Sequence, residues 1–429
     1  MESEVPSELP LGELVDVFDS LRIPVKSSDR KPGPYPYYGA SGITDYVDSY
    51  IFEGEHLLLS EDGDNLRTRN TPIAFLADGK FWVNNHAHIL RANAENNTKY
   101  LCYALQVADI TSYISGSTRP KLNQKDMRRI PVYAPALPEQ KAIAHILGSL
   151  DDKIELNRRM NATLEGMAQA LFKSWFVDFD PVFDNALAAG HAIPDELKSK
   201  AELRRLSAEK KSEFKTHHSS FPSKFTWTEE LGWIPEGWEV QEFGKLAQNV
   251  RDGVDPATLP ADTPYVGLEH IDKQCFSLSR WGTAAEVDSQ KSHFKPDDFL
   301  FGKLRPYFHK VCHVISEGIC STDILVIRTH QEDDAGYVGC QIFEPEFVEY
   351  ANLRSTGTRM PRASWKDMAQ YEVACPPENL RKAFNNLIKP IREKCAGAVI
   401  VNQNLGKLRD TLLPQLISGE LRCSNPTHS

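Results

Sequence analysis

Two long stretches of heptad-spaced apolar residues, one near the middle of the chain and one at its end, set the strongest limit on its architecture. From Glu139 to about Phe176 no proline occurs, and Ile143, Leu147, Leu150, Ile154, Asn157, Asn161, Leu164, Ala168 and Leu171 alternate steps of four and three. That is the a/d rhythm of a coiled-coil seam. Leu137-Pro138-Glu139 suits a helix start, with proline early and an acid in the first turn. The rhythm returns at Leu380, Phe384, Leu387, Ile391, Lys394, Ala398, Val401, Leu405, Leu408 and Leu412. Pro390 predicts a kink or a late start there, and Pro414 an end. Each helix would run for roughly 35–40 residues, about 55 Å at ~1.5 Å per residue. Seams of that length need partners, and the economical arrangement packs the two antiparallel within one chain. Asn157 and Asn161 in the first stripe, with Asn402 beside the second, would fix register at a cost in stability, so that Asn157→Leu should stabilise the chain.

The segments that precede the two helices echo each other. Gly116 to Met127 reads GSTRPKLNQKDM and Gly357 to Met368 reads GTRMPRASWKDM. One constant offset aligns Gly116 with Gly357, Pro120 with Pro361, Lys121 with Arg362, Lys125 with Lys366, and Asp126 with Asp367. The chain is thus an internal duplication: globular unit, helix, globular unit, helix. The division read from this is 1–136 for the first unit, 137–180 for the central helix, 181–231 for a linker, 232–376 for the second unit and 377–422 for the C-terminal helix. Within both units short β-prone runs alternate with Gly, Pro and Asp turns, as in a mixed α/β fold. In the linker, Asp195 to Lys215 carries charges of both signs and reads as a solvated surface helix.

Composition excludes several classes. The 429 residues are 41% hydrophobic and 25% charged, an ordinary globular balance long enough for two or three domains. No apolar run approaches the ~18 residues of a membrane span, and the acidic N-terminus does not read as a signal peptide, so a cytoplasmic protein is expected. The eight cysteines form no C-x-x-C pair and read as small buried hydrophobes. The net charge of −10 argues against general nucleic-acid binding, but only local clusters can decide that question.

The chain lacks a G-x-x-x-x-G-K-[ST] loop, a G-x-G-x-x-G fingerprint and an H-E-x-x-H zinc motif. Its one Pro-Pro, Pro376-Pro377, does not belong to the Asn/Asp-Pro-Pro-aromatic signature of amino-methylating enzymes. A carboxylate–lysine nuclease centre at Asp64, Asp78 and Lys80 has only a common spacing behind it. His86-Ala87-His88 would place two rings on one strand face, without further metal ligands of known geometry. Basic residues, by contrast, gather where the duplication lies. Arg119, Lys121, Lys125, Arg128 and Arg129 face one acid between Ile114 and Pro131, and Arg354, Arg359, Arg362 and Lys366 face none. The second unit adds Lys303, Arg305 and Lys310 in FGKLRPYFHK. Glycine loops with arginine and lysine can offer N–H groups and cations to phosphates and guanidinium forks to guanine. The candidate DNA contacts are therefore Arg119, Lys121, Lys125, Lys303, Arg305, Lys310, Arg359, Arg362, Lys366 and His86.

Taken together, these segments resemble the specificity subunit of a type I restriction–modification system over essentially the whole chain. The resemblance rests on the duplicated loops, on WVNNHAHILRA (Trp82 to Ala92), on the central helix from Leu137 to Val182, on GWIPEGW (Gly232 to Trp238), on TPYVGLEHI (Thr263 to Ile271) and on LRDTLLPQLISGEL (Leu408 to Leu421). It implies two α/β target recognition domains joined by two long antiparallel coiled-coil helices with pseudo-twofold duplication. It further implies a non-catalytic subunit that binds a bipartite, asymmetric site in double-stranded DNA and scaffolds two methyltransferase subunits and the restriction/translocase subunits. No cofactor is then expected in this chain, with S-adenosylmethionine, ATP and Mg²⁺ left to the partners. The alternative is a self-contained DNA methyltransferase or nuclease with degenerate motifs.

Overall fold

The computed structural model describes residues 8–208 and 219–423, and the chain divides into two compact units. Residues up to 155 and from 403 onward form the first unit, and residues 156–402 the second. The boundary falls inside both long helices, α1 (Leu137–Phe172) and α2 (Glu378–Ile417).

The duplication extends from sequence to sheet topology. In the first unit Val15–Val17, Ala87–Ala92, His56–Ser60 and Ala74–Ala77 form an antiparallel sheet in that order. In the second, Ala247–Val250, Ile324–Thr329, Phe299–Gly302 and Val311–His313 repeat it. Each unit carries another sheet with one parallel pair, Tyr35–Gly39 beside Lys80–Val83 and Pro264–Val266 beside Gly318–Cys320. A short ladder closes each unit just before its long helix, Glu8–Pro10 with Pro131–Tyr133 and Glu239–Glu242 with Glu372–Cys375. The central strands His56–Ser60 and Phe299–Gly302 are buried throughout, as strands covered on both faces must be. In the first unit the helix Thr98–Val107, capped by the Asn97 side chain, presses Tyr100, Leu101 and Leu105 into a core shared with Ile143, Leu147, Leu413 and Leu416. In the second, Phe172, Phe176, Tyr337 and Phe384 meet in one aromatic cluster. Six of the eight free cysteines are buried.

The two helices pack antiparallel. In the second unit Asn157 donates to Asn402 at 2.7 Å and Asn161 to the Cys395 carbonyl at 2.9 Å, so the partner number falls as the first rises. In the first unit Arg409 donates to Asp151 at 2.6 Å, and Asp151 also accepts from the Tyr103 hydroxyl. The stripe expected for α1 is buried or half-buried at all its positions. The stripe expected for α2 is displaced in part. Beyond Phe384 the buried positions include Ile388, Arg392, Cys395, Ala398, Val399 and Leu413, with Asn402 half-buried, while Leu387, Val401 and Leu408 are 36%, 45% and 48% exposed. The seam therefore widens to positions one residue later than apolar spacing indicates, because the Asn402 and Arg409 side chains hydrogen-bond to α1 and the Cys395 carbonyl accepts from it.

Lys394 and Pro390 accordingly interrupt nothing, since both face solvent. Nor does Pro390 delay the helix, which starts at Glu378 and runs through it. The carbonyl of Asn386, deprived of a helical donor by the proline ring, belongs to an exposed residue that water can reach. The direct bond to Asn402 also reverses the expectation for Asn157. Asn157→Leu alone should now lower stability by about 0.5–1.5 kcal/mol, and adding Asn402→Leu should recover it. Chemical unfolding of the single and double variants checks this, and a more stable single variant would contradict it.

After α1 the chain widens into a π-helical turn at Lys173–Val177, and Phe179 takes a left-handed φ of 58° before the helix Asp180–Ala189. The helix Lys198–Ala208 is not wholly solvated. Ala201 and Arg204 are buried, with Arg204 held between Asp180 at 3.1 Å and Asp184. The rest of the charged stretch through Lys215 lies largely outside the described residues.

Candidate nucleic-acid interface

Each unit builds the same loop from the same parts. Gly116 has φ +83° and Gly357 φ +102°, a region glycine enters without steric cost. The backbone then closes on itself, Ser115 with Lys121 at 2.8 Å in both directions and Thr356 with Arg362 at 3.1 and 2.9 Å. A Cβ on Gly116 would stand 2.4 Å from the Arg119 carbonyl oxygen. A one-turn helix follows in each, its first N–H groups capped by Asn123 in one case and Ser364 in the other.

The loop clasps the segment that leaves the central strand. In the first unit Gly63 donates to the Pro120 carbonyl at 3.0 Å and Leu122 to the Glu61 carbonyl at 2.7 Å. In the second Arg305 donates to Pro361 at 2.7 Å and Ala363 to Lys303 at 2.9 Å. Structurally equivalent positions thus carry Glu61, Asp62 and Gly63 in one unit and Lys303, Leu304 and Arg305 in the other. The two loops share a backbone and differ in charge.

That difference decides the electrostatics. In the first unit Arg119 pairs with Asp62 at 3.2 Å, Lys121 with Glu61 at 3.2 Å, and His86 with Asp62 at 2.9 Å. Glu61 also holds Arg22. Arg119 is 67% exposed, and such pairs are worth about 0–1 kcal/mol, so a phosphate can compete for it. In the second unit Arg362 pairs with Asp323 at 3.1 Å, whereas Arg305, Arg359 and Lys366 are exposed with no side-chain ion pair among the described residues. Lys125 is likewise exposed on its one-turn helix.

Two candidates sit apart from the rest. Lys310 is half-buried, its ammonium donating to the Leu268 carbonyl, and burial lowers its pKa from the ordinary lysine value. It is a brace under the strand rather than a free cation. His86 lies in the turn before its strand and His88 within it, so the two rings do not share a site. His88 is buried, with one ring nitrogen 2.6 Å from Asp19 and the other 2.8 Å from the Leu122 carbonyl. Burial would raise the Asp19 carboxyl, but the bonds from His88 and the Ile89 N–H, with the Arg22 charge, hold it below its ordinary value. His88 therefore positions the loop from behind, a role the H-x-H spacing hinted at only by drawing attention to the pair. Lys303 borders an open polar depression with Asn249, Arg251 and Gln290. Asn249 and Arg251 come from one segment and Gln290 from another, and they carried no signal in the sequence.

The family model for the type I restriction modification DNA specificity domain matches residues 6–166, which contain the first unit's loop and most of α1. That first stretch of the chain is similar to a type I restriction–modification DNA specificity domain. Family resemblance continues through the second half. The chain is 24% identical to the EcoDI specificity subunit of Escherichia coli over 433 residues, covering 97% of this chain and 89% of that protein. A Haemophilus influenzae protein named as a candidate type I restriction enzyme specificity subunit is 39% identical over 141 residues, which is 33% of this chain and 36% of that protein. The fold resembles that of the S subunit of the type I restriction–modification system from M. genitalium, with a TM-score of 0.55 at 14% identity over 97% of this chain and 98% of that one. Among the described residues no helix is long and apolar enough to cross a membrane.

Proposed function

We propose that this chain is the non-catalytic subunit that selects the DNA sequence for a type I restriction–modification complex in the cytoplasm. Residues 1–136 and 232–376 would act as target recognition domains, each reading one half of a bipartite, asymmetric site. The helices at 137–180 and 377–422 would set the gap between the halves and dock two methyltransferase subunits, with restriction/translocase subunits joining them. The stretch 181–231 would connect the halves. S-adenosylmethionine, ATP and Mg²⁺ would be bound by those partners.

The observation that carries this reading is the loop built twice on the same backbone plan, glycine-anchored and cationic, at the end of a buried central strand. Shared loops suit the shared task of holding phosphates, and the divergent residues they clasp suit base reading. Arg359, in the shared loop, would contact the backbone. Lys303 and Arg305, at positions occupied by Glu61 and Gly63 in the other unit, would face base edges. Arg119, Lys121, Arg362, Lys125 and Lys366 would hold phosphates, and His86 would take part through Asp62.

Removing Arg359 should weaken binding to all sequences alike and reduce the salt slope by about one. Removing Arg305, if its fork meets a guanine, should cost about 1–3 kcal/mol at a single base position. Salt titrations of the assembled methyltransferase on its target and on single-base variants separate the two. A change of base preference in Arg359→Ala with an unchanged salt slope would overturn the assignment.

A further inference from the structure

Away from both loops, the second unit contains a pocket with polar groups that the chain itself leaves unsatisfied. Its apolar wall includes Phe276, Trp281, Ile388 and Val399, and Arg392 on α2 lies within it. Arg392 is 8% exposed, and its Nε and Nη1 are buried without a hydrogen-bond partner. No carboxylate reaches ion-pair distance of it among the described residues. Asp297, the acid whose charge acts most on Arg392, is already engaged by His313 at 3.1 Å. The guanidinium carbon lies 5.9 Å from the Phe299 ring centroid, a contact too long to replace an anion. On α1, Gln169 also turns a buried, unpartnered Oε1 toward this region. Glu165, the acid in the lining, spends one oxygen on the Phe276 N–H at 3.1 Å and the other on the Ser277 hydroxyl.

A guanidinium is always charged, and a buried charge without a partner is among the costliest arrangements a fold can hold. Here burial alone pulls the Arg392 pKa down from its ordinary value. We propose that this pocket binds a small monovalent carboxylate, its oxygens on Arg392 and its short apolar end against Phe276 and Ile388. The cavity is small, about 50 Å³, and its apolar wall suits a short anion. One cation, with Glu165 in the same lining, favours a monoanion over a dianion. The bound anion would complete the attachment of α2 to the second unit, so its presence should be visible as stability.

The test is thermal unfolding of the full chain while sodium acetate replaces sodium gluconate at constant ionic strength, the polyhydroxyl chain of gluconate being mismatched to the apolar wall. The wild-type Tm should rise saturably with acetate, as binding to the folded state requires. Arg392→Met should lose that response, and so should Ala396→Leu, which fills the lining and keeps the charge. Should Arg392→Met fail to fold, Ala396→Leu decides alone. An equal, unsaturated response in wild type and variant would overturn the proposal, as would a crystal structure grown in acetate with only water at Arg392.

Discussion

Truncating Asp334 to alanine is expected to destabilise the second unit by about 3–5 kcal/mol. Asp334 is 2% exposed and accepts from Arg381 Nε at 2.6 Å. The same guanidinium donates from Nη1 to the Pro376 carbonyl at 2.7 Å, so the pair ties the first turn of α2 to the strand before it and to the helix Ala335–Phe343. Removing the acid strands a largely buried arginine, and that loss exceeds what the intact pair contributes over a neutral replacement. Denaturant unfolding should show a lower midpoint with an unchanged slope. The neighbouring pair of Lys382 with Asp333, at 2.8 Å but solvent-exposed, serves as the control, and Lys382→Ala should change little. Equal effects of the two substitutions would show that burial does not set the difference.

Phe384→Ala should cost a similar amount, about 3–5 kcal/mol. Phe384 is fully buried, with ring centroids 5.0 Å from Phe176, 5.7 Å from Trp175 and 5.9 Å from Phe172. These rings join the end of α1 to the start of α2 over Tyr337. The next turn tests the register of the seam. Ile388→Ala should cost about 2–5 kcal/mol and Leu387→Ala within about 0.5 kcal/mol, because Ile388 is 2% exposed and Leu387 36%. The opposite order would restore the seam that apolar spacing alone suggests.

The reversal at Leu387 and Ile388 shows what was legible in the chain and what was not. The existence, length and pairing of both helices follow from heptad spacing, which reports how often a face is buried. Its phase is another matter. Val401 and Leu408 look like seam residues and lie outside, whereas Asn402 and Arg409 look like surface and lie at the contact, since Asn157 and Asp151 on the other helix bond to them. Partners more than 240 positions away cannot be read from local pattern. The duplicated loops were legible because their glycines, cations and capping residues recur in order. Their electrostatic state was hidden for the same reason as the seam. Glu61 and Asp62 lie some sixty residues before Arg119 and Lys121, and only the clasp between loop and strand end brings them together. The same clasp reveals that Lys303 stands where the first unit has Glu61, and Arg305 where it has Gly63.

The most direct test of the account is to map methylated adenines in cells that express the partner methyltransferase with this chain, before and after residues 232–376 are exchanged for the matching segment of a relative. The account predicts a two-part methylation site in which one half and the gap persist while the other half changes. Loss of both halves, or methylation without sequence preference, would contradict it.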